Sequence, residues 1–284
     1  MKRVNYLFVL LLVTMSLFGT AQTPDLIIFK GDTLPLYSLP LNSFPTQALI
    51  NPKSLFGGSG CFYTGCWRNY IATWKIVDGK LYLVKIRNAC YPTPLKGVSA
   101  SYKGGVDKDS IGTEYADLKA LFPERFENGM VKADWVSGEL YLPQGELLYY
   151  IHDGFQSIYE TELKFTLEKG ALVEIEKLDN SKTKRSKYSE DSKLLLKYIY
   201  DNINHENLPK NDTIKGRVIL YIYSSDDNGK IDSVVVVRGL NELYDKEAVR
   251  VVKSIPEWDV IYRHGKKINR PWVIPINFNY KDDK

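Results

Sequence analysis

Several residues in this chain have types that could carry chemistry. His152-Asp153 stands at the end of an apolar run and offers an acid/base pair, with Glu160 or Cys61 as a further member. Such a pair catalyses only when a third group orients it, and none stands at a recognisable spacing. Asp153-Gly154 closing a strand is ordinary turn chemistry, so the pair reads as a turn. Phe62, Tyr63, Trp67, Tyr70 and Trp74 are dense enough to stack a sugar or a peptide. Trp67 and Trp74, however, are an odd number of positions apart and fall on opposite faces of an unbroken strand. Gly57-Gly58-Ser59-Gly60 lacks the Lys and Ser/Thr of a phosphate-binding loop. No cofactor or metal site is expected from these residues.

Cys61, Cys66 and Cys90 allow one disulfide and one free thiol. The spacing of the first two is C-x4-C, not the C-x2-C of thiol oxidoreductases. Asp78-Gly79 marks a hairpin turn, and counting outward from it sets Cys90 opposite Trp67, next to Cys66. A Cys66–Cys90 bridge then needs a bulge or an early strand end, because direct register puts the two on opposite faces. A Cys61–Cys66 loop is the rival.

The elements that must position these residues follow from the wider pattern. The chain has 284 residues, 44% hydrophobic and 25% charged, a globular composition with room for two domains. Lys2 and Arg3 precede an apolar run from Tyr6 to Phe18, and Gly19-Thr20-Ala21 supplies small residues before Gln22. This reads as a cleaved signal peptide over residues 1–21, which implies an oxidising, periplasmic location. The rival is an uncleaved inner-membrane anchor, for which the run falls short of the ~20 residues a bilayer core requires. Removing residues 1–21, with two basic residues and no acidic one, brings the net charge from +4 to +2. That near-neutrality argues against nucleic acid as a partner.

Residues 22–178 alternate in short runs broken by Gly, Pro and Asp, which predicts a mostly antiparallel β-rich domain. Its expected strands are Thr73 to Val77, Lys80 to Ile86, Glu139 to Leu142, Glu146 to Ile151, Glu162 to Glu168 and Leu172 to Lys177, with a short helix over Asp117 to Phe122. Cys66-Trp67-Arg68-x-Tyr70 and Thr73-Trp74-Lys75-Ile76 resemble secreted β-domains to which no activity attaches. Residues 179–188 read as a polar linker that separates this domain from residues 189–284.

In the last hundred residues, Ser189 caps a predicted helix through Asn202, with Leu194, Leu195, Tyr198 and Ile199 on one face. Gly216 to Tyr223 and Ile231 to Val237 flank Asn228-Gly229, the strongest short-range hairpin signal. Pairing around that turn groups Val218, Leu220 and Ile222 with Val235 and Val237, and Ile219, Tyr221 and Tyr223 with Val234 and Val236. Both faces are apolar and both ask for cover. A helix from Glu242 to Ser254 supplies it on one side, and Pro256 ends that helix. Trp272 to Tyr280 is the last strand. Pro275 has no N–H, which places this strand at a sheet edge or at a local break.

The blocks Gly216-Arg217-Val218, Asp227-Asn228-Gly229-Lys230-Ile231, Val234 to Gly239, Asp245 through Trp258, Gly265-Lys266 and Ile274-Pro275-Ile276-Asn277-Phe278, in this order, resemble the TonB C-terminal domain over about residues 190 to 280. The resemblance implies an α+β fold of helix, β-hairpin, helix and edge strand, in a non-enzymatic periplasmic protein. It also implies docking of an extended segment from an outer-membrane TonB-dependent receptor, or from another envelope protein, as an added strand. On this chain the accepting residues are Trp272, Val273, Ile274, Ile276 and Phe278. Two other readings stand beside it: an envelope enzyme with its site in the β-rich domain, and a homodimer formed through the sheet edge.

Overall fold

A computed structural model describes residues 20–61, 63–91, 111–209 and 216–278. The signal-peptide reading falls almost wholly on residues outside these, as do Phe62 and the last residues expected in the final strand. The fold is mixed α+β and mostly strand, and it divides into two compact units. The first ends at Leu178; the second runs from Asp179, with Tyr159–Thr161 counted to it.

The first unit is built on β1 (Asp25–Phe29), β2 (Asp32–Leu36), helix α1 (Pro52–Phe56), β3 (Tyr70–Val77), β4 (Lys80–Asn88), helix α2 (Leu118–Leu121), β5 (Phe126–Glu127), β6 (Met130–Lys132), β7 (Gly138–Tyr149), β8 (Ile158–Glu168) and β9 (Ala171–Asp179). The sheet runs β2-β1-β3-β4-β9-β8-β7, with β6 beside β4 and β5 beside β6. β1 pairs antiparallel with β2, β3 with β4, β4 with β6 and β9, and β5 with β6, whereas β1 and β3 run parallel. Ile27, Leu36, Trp74, Leu81, Leu83, Leu142 and Phe165 fill its core. The two strands expected over Glu139 to Leu142 and Glu146 to Ile151 are one continuous β7, because Pro143 and Gly145 are carried within the strand without ending it. Asp117 caps α2, its side chain accepting from the Ala120 N–H.

The second unit holds α3 (Lys187–Glu190), α4 (Ser192–Asn202), β10 (Gly216–Ser225), β11 (Ile231–Arg238), α5 (Glu242–Lys253), β12 (Ile261–Arg263), β13 (Lys266–Ile268) and β14 (Trp272–Phe278). One three-stranded sheet has the order β11-β10-β14, and β12 with β13 forms a separate hairpin. The sheet's buried face meets both long helices in a core of Leu195, Ile199, Val218, Leu220, Ile222, Ala248, Val251, Val252, Ile274 and Ile276. The β10–β11 turn closes on Asp226, whose side chain accepts from the N–H groups of Asn228 and Lys230. Gly229 in this turn has φ +85°, and a β-carbon there would meet the Trp258 carbonyl oxygen at 2.8 Å, so glycine is required twice over.

Three expectations for this unit are corrected. Residues 179–188 are not a free linker: Lys184 pairs with Val260, and Asp259 accepts from the Ser186 N–H at 2.7 Å and the Ser189 hydroxyl at 2.6 Å. Ser189 thus serves Asp259, and the caps fall to Ser186 for α3 and Asp191 for α4. The hairpin register also differs by one. Leu220 faces Val236 and Ile222 faces Val234, so Val234 and Val236, not Val235 and Val237, share the face of Val218, Leu220 and Ile222. The cause is the loop: the Asp226 N–H donates to the Lys230 carbonyl, so Asp227-Asn228-Gly229 form a three-residue loop where a count from Asn228-Gly229 takes two. The two irregularities on either side of Ser224 offset each other.

Candidate functional site: the β14 edge

β14 pairs with β10 along its whole length, from Gly216 against Phe278 to Ile222 against Trp272. Among the described residues no strand lies on its other side. Ile274, Ile276 and Phe278 point into the core at 2%, 0% and 6% exposure, whereas Val273 is 49% exposed. Of the five expected contact residues, the three core-facing ones therefore offer a partner no side chain. Val273 offers a side chain as well, and Trp272 is half-buried with its ring edge-on to Trp258 at 6.0 Å.

The edge's hydrogen-bonding capacity can be read from one contact. The Asn277 N–H donates to the Tyr200 hydroxyl of α4 at 3.3 Å, so it points away from β10. Alternation along a strand then turns the N–H and C=O positions of Asn277, Pro275 and Val273 outward, and those of Phe278, Ile276, Ile274 and Trp272 toward β10. The Arg217 Nε bond to the Asn277 Oδ1, 2.8 Å across the two strands, fits the close side-chain approach of such a non-hydrogen-bonded pair. Pro275 contributes no donor and Asn277 has given its own to Tyr200. Val273 is left with the one outward N–H not withdrawn by these two devices, beside three outward carbonyls. Sequence reasoning found Pro275 but missed Tyr200, whose part depends on where α4 lies along the strand.

Near α4, Glu247 is buried to 2% and takes four hydrogen bonds: from the Asn204 N–H at 2.6 Å, the Asn207 amide at 2.8 Å, and Arg250 at 2.9 Å and 2.6 Å. Burial alone would raise its carboxyl, but the Arg250 guanidinium and the amide donors prevail and hold it down at about 2. Arg250 also donates to the Asn202 carbonyl at 2.6 Å, so this cluster ties the C-terminal end of α4 to α5. It thereby helps fix the helix that carries Tyr200.

The residues singled out in the first unit do not assemble into a site. Cys61 is bonded to Cys90, which corrects both expected pairings. A bulge does lie in the β3–β4 ladder between Thr73 and Trp74, as a Cys66–Cys90 bridge would need. Cys66, however, sits in a 3-10 turn with its thiol buried and donating to the Tyr70 carbonyl at 3.2 Å, while Cys61 approaches Cys90 from outside the ladder. With its sulfur in the disulfide, Cys61 is no thiolate nucleophile, and burial raises the Cys66 thiol. His152 bonds through Nδ1 to the Tyr150 hydroxyl at 2.8 Å, and Asp153 accepts from Gln156 at 2.8 Å. Tyr70 and Trp74 belong to the core and Trp67 is exposed, so these rings form no common platform.

Asp25 is fully buried in the first unit. Burial pushes its carboxyl up in spite of Arg68 at 3.0 Å, the Trp74 indole N–H at 3.1 Å and the Ala72 N–H at 3.0 Å. These bonds tie β1 to β3, and the absence of solvent exposure gives the cluster a structural role. No group of His, Cys, Asp and Glu fit to hold a metal occurs among the described residues, and none of their helices is long and apolar enough to cross a membrane. Comparison with family models, curated proteins and solved structures finds no match to the chain.

Proposed function

We propose that the C-terminal unit is a periplasmic docking module of the TonB type. It takes an extended segment of an outer-membrane transporter, or of another envelope protein, as an added strand along β14. The observation that carries this reading is the outer edge of β14, which no strand pairs among the described residues, with the exposed Val273 beside its outward N–H. The chain order of α4, the β10–β11 hairpin, α5, the β12–β13 hairpin and β14 supports this reading. With Pro275 and Tyr200 limiting the donors, the module binds through Val273 and the outward carbonyls, and its affinity is modest. The protein acts by binding, without a cofactor.

Capture from detergent-solubilised envelope with residues 22–284 as bait tests the reading, with Val273→Pro as the decisive variant. Val273 spends no ladder bond on β10, so the proline removes an outward donor and leaves the sheet folded. Ile276→Pro, by contrast, strikes a donor aimed at β10 and breaks the sheet itself. An outer-membrane receptor retained by the wild type and lost with a folded Val273→Pro is the expected result. Equal retention by both ends the strand-addition reading.

A further inference from the structure

The sheet has a second edge, and it differs from β14 in chemistry. Among the described residues β11 carries neither a proline nor a side-chain cap, and Val235, Val236 and Val237 are 50%, 36% and 52% exposed. Tyr221, 38% exposed, lies between Val235 on one side and the exposed Val273 on the other, so an apolar row crosses all three strands. Such an open valine edge is a template for pairing. Because β10 turns its even positions toward β14, Tyr221 bonds toward β11 and Val235 bonds back. Val234 and Val236 therefore hold the outward N–H and C=O groups.

We propose that β11 pairs antiparallel with β11 of a second copy, about a twofold axis at Val235. This register sets Val234 against Val236 of the second copy and the reverse, joining the outward groups of both edges. It also brings Asp232 of each strand beside Arg238 of the other, opposite charges that are exposed at the two ends of β11. The neighbouring registers of the same parity lack this match. Centring on Val234 sets Lys230 against Arg238, two like charges, and centring on Val236 leaves Asp232 facing Leu240.

A shallow apolar groove runs beside the edge, lined by Val236, Glu242, Asp245, Lys246 and Val249. In this register Val234 of the second copy stands next to Val236 and enters it. Glu242 and Lys246 are already paired with each other on the rim at 2.6 Å, which leaves the groove's apolar surface to the incoming valine. The product is a six-stranded sheet in the order β14-β10-β11-β11-β10-β14. Both β14 edges stay free at its ends, so the dimer is independent of the docking reading.

Sedimentation equilibrium of residues 22–284 reads the dimer, and charge reversal reads its register. Arg238→Glu raises the dissociation constant by about tenfold or more, and adding Asp232→Arg restores it, since the pair is then present with its signs exchanged. The strands at the axis approach within ~4.5 Å between α-carbons at Val235, so Val235→Cys forms an intermolecular disulfide in air. A wild type that sediments as a monomer at its highest soluble concentration overturns the proposal. So does a dimer indifferent to Arg238→Glu, or one crosslinked by Val273→Cys and not by Val235→Cys.

Discussion

Replacing Glu247 with Gln keeps the shape of a side chain that is nearly inaccessible and removes its charge. Its carboxyl lies at about 2 in the folded chain against an ordinary 4.5, because four donors from Asn204, Asn207 and Arg250 favour the charged form. A depression of that size corresponds to about 3 kcal/mol of stability, since each tenfold change in an acid dissociation constant is worth ~1.4 kcal/mol. The folded value is the lower one, so this stability is fully present above pH 4.5 and is lost as the pH falls through 2. Glu247→Gln should cost about 3 kcal/mol at pH 7, and its difference from the wild type should narrow to roughly 1 kcal/mol by pH 3. The assay is urea unfolding at each pH followed by pulsed hydrogen exchange on peptides from α5, which reports the C-terminal unit alone. Equal midpoints for the two proteins at pH 7, or a difference that stays constant down to pH 3, would refute the linkage.

Two further outcomes follow from the same geometry. Tyr200→Phe frees the Asn277 N–H, so the Asn277 amide should exchange faster, and a partner adding to β14 should bind about fivefold tighter, the worth of one hydrogen bond near 1 kcal/mol. An accelerated amide with unchanged affinity would show that the partner does not pair as far along the strand as Asn277. Cys61→Ala with Cys90→Ala opens a bridge that closes a sequence separation of 29 residues. On the loop-entropy account the first unit loses about 4 kcal/mol, measured by exchange of β3 and β4 amides, with α5 amides unaffected.

The C-terminal elements were legible because their signals are local. Asn228-Gly229 between β-branched runs announces a hairpin, and Pro275 announces an edge before any contact is known. What the chain hides is register. The β10–β11 loop holds three residues where a count from Asn228-Gly229 takes two, and a bulge shifts the β3–β4 ladder between Thr73 and Trp74; a displacement of one moves a side chain to the other face. The disulfide was hidden for a related reason: the 3-10 turn at Thr64–Cys66 aims Cys66 inward, a choice made by packing against Tyr70 and not by spacing. The linker reading failed because polar residues served a buried carboxylate. Ser186 and Ser189 look solvated in sequence until Asp259, seventy residues on, is brought beside them.

The two edges of the C-terminal sheet carry opposite designs, and the contrast bears on how such a module works. On β14 a proline and a tyrosine hydroxyl leave one of three outward positions with a donor to offer, so a strand added there would gain few bonds and would be released readily. That suits a partner that must come and go. On β11 nothing is withdrawn among the described residues, the side chains are valines, and the charges at the strand's ends match only those of an inverted copy. An edge of that kind favours a lasting contact. A dimer built on β11 would present two weak β14 edges at once, and a receptor array carrying several docking segments would then be held by both. The second engagement is intramolecular, so retention can exceed that of either edge alone by orders of magnitude without any new contact. Arg238→Glu, far from β14, should therefore weaken capture by a clustered receptor while leaving the affinity for a single soluble segment unchanged. If both fall together, or neither does, the coupling between the two edges is absent.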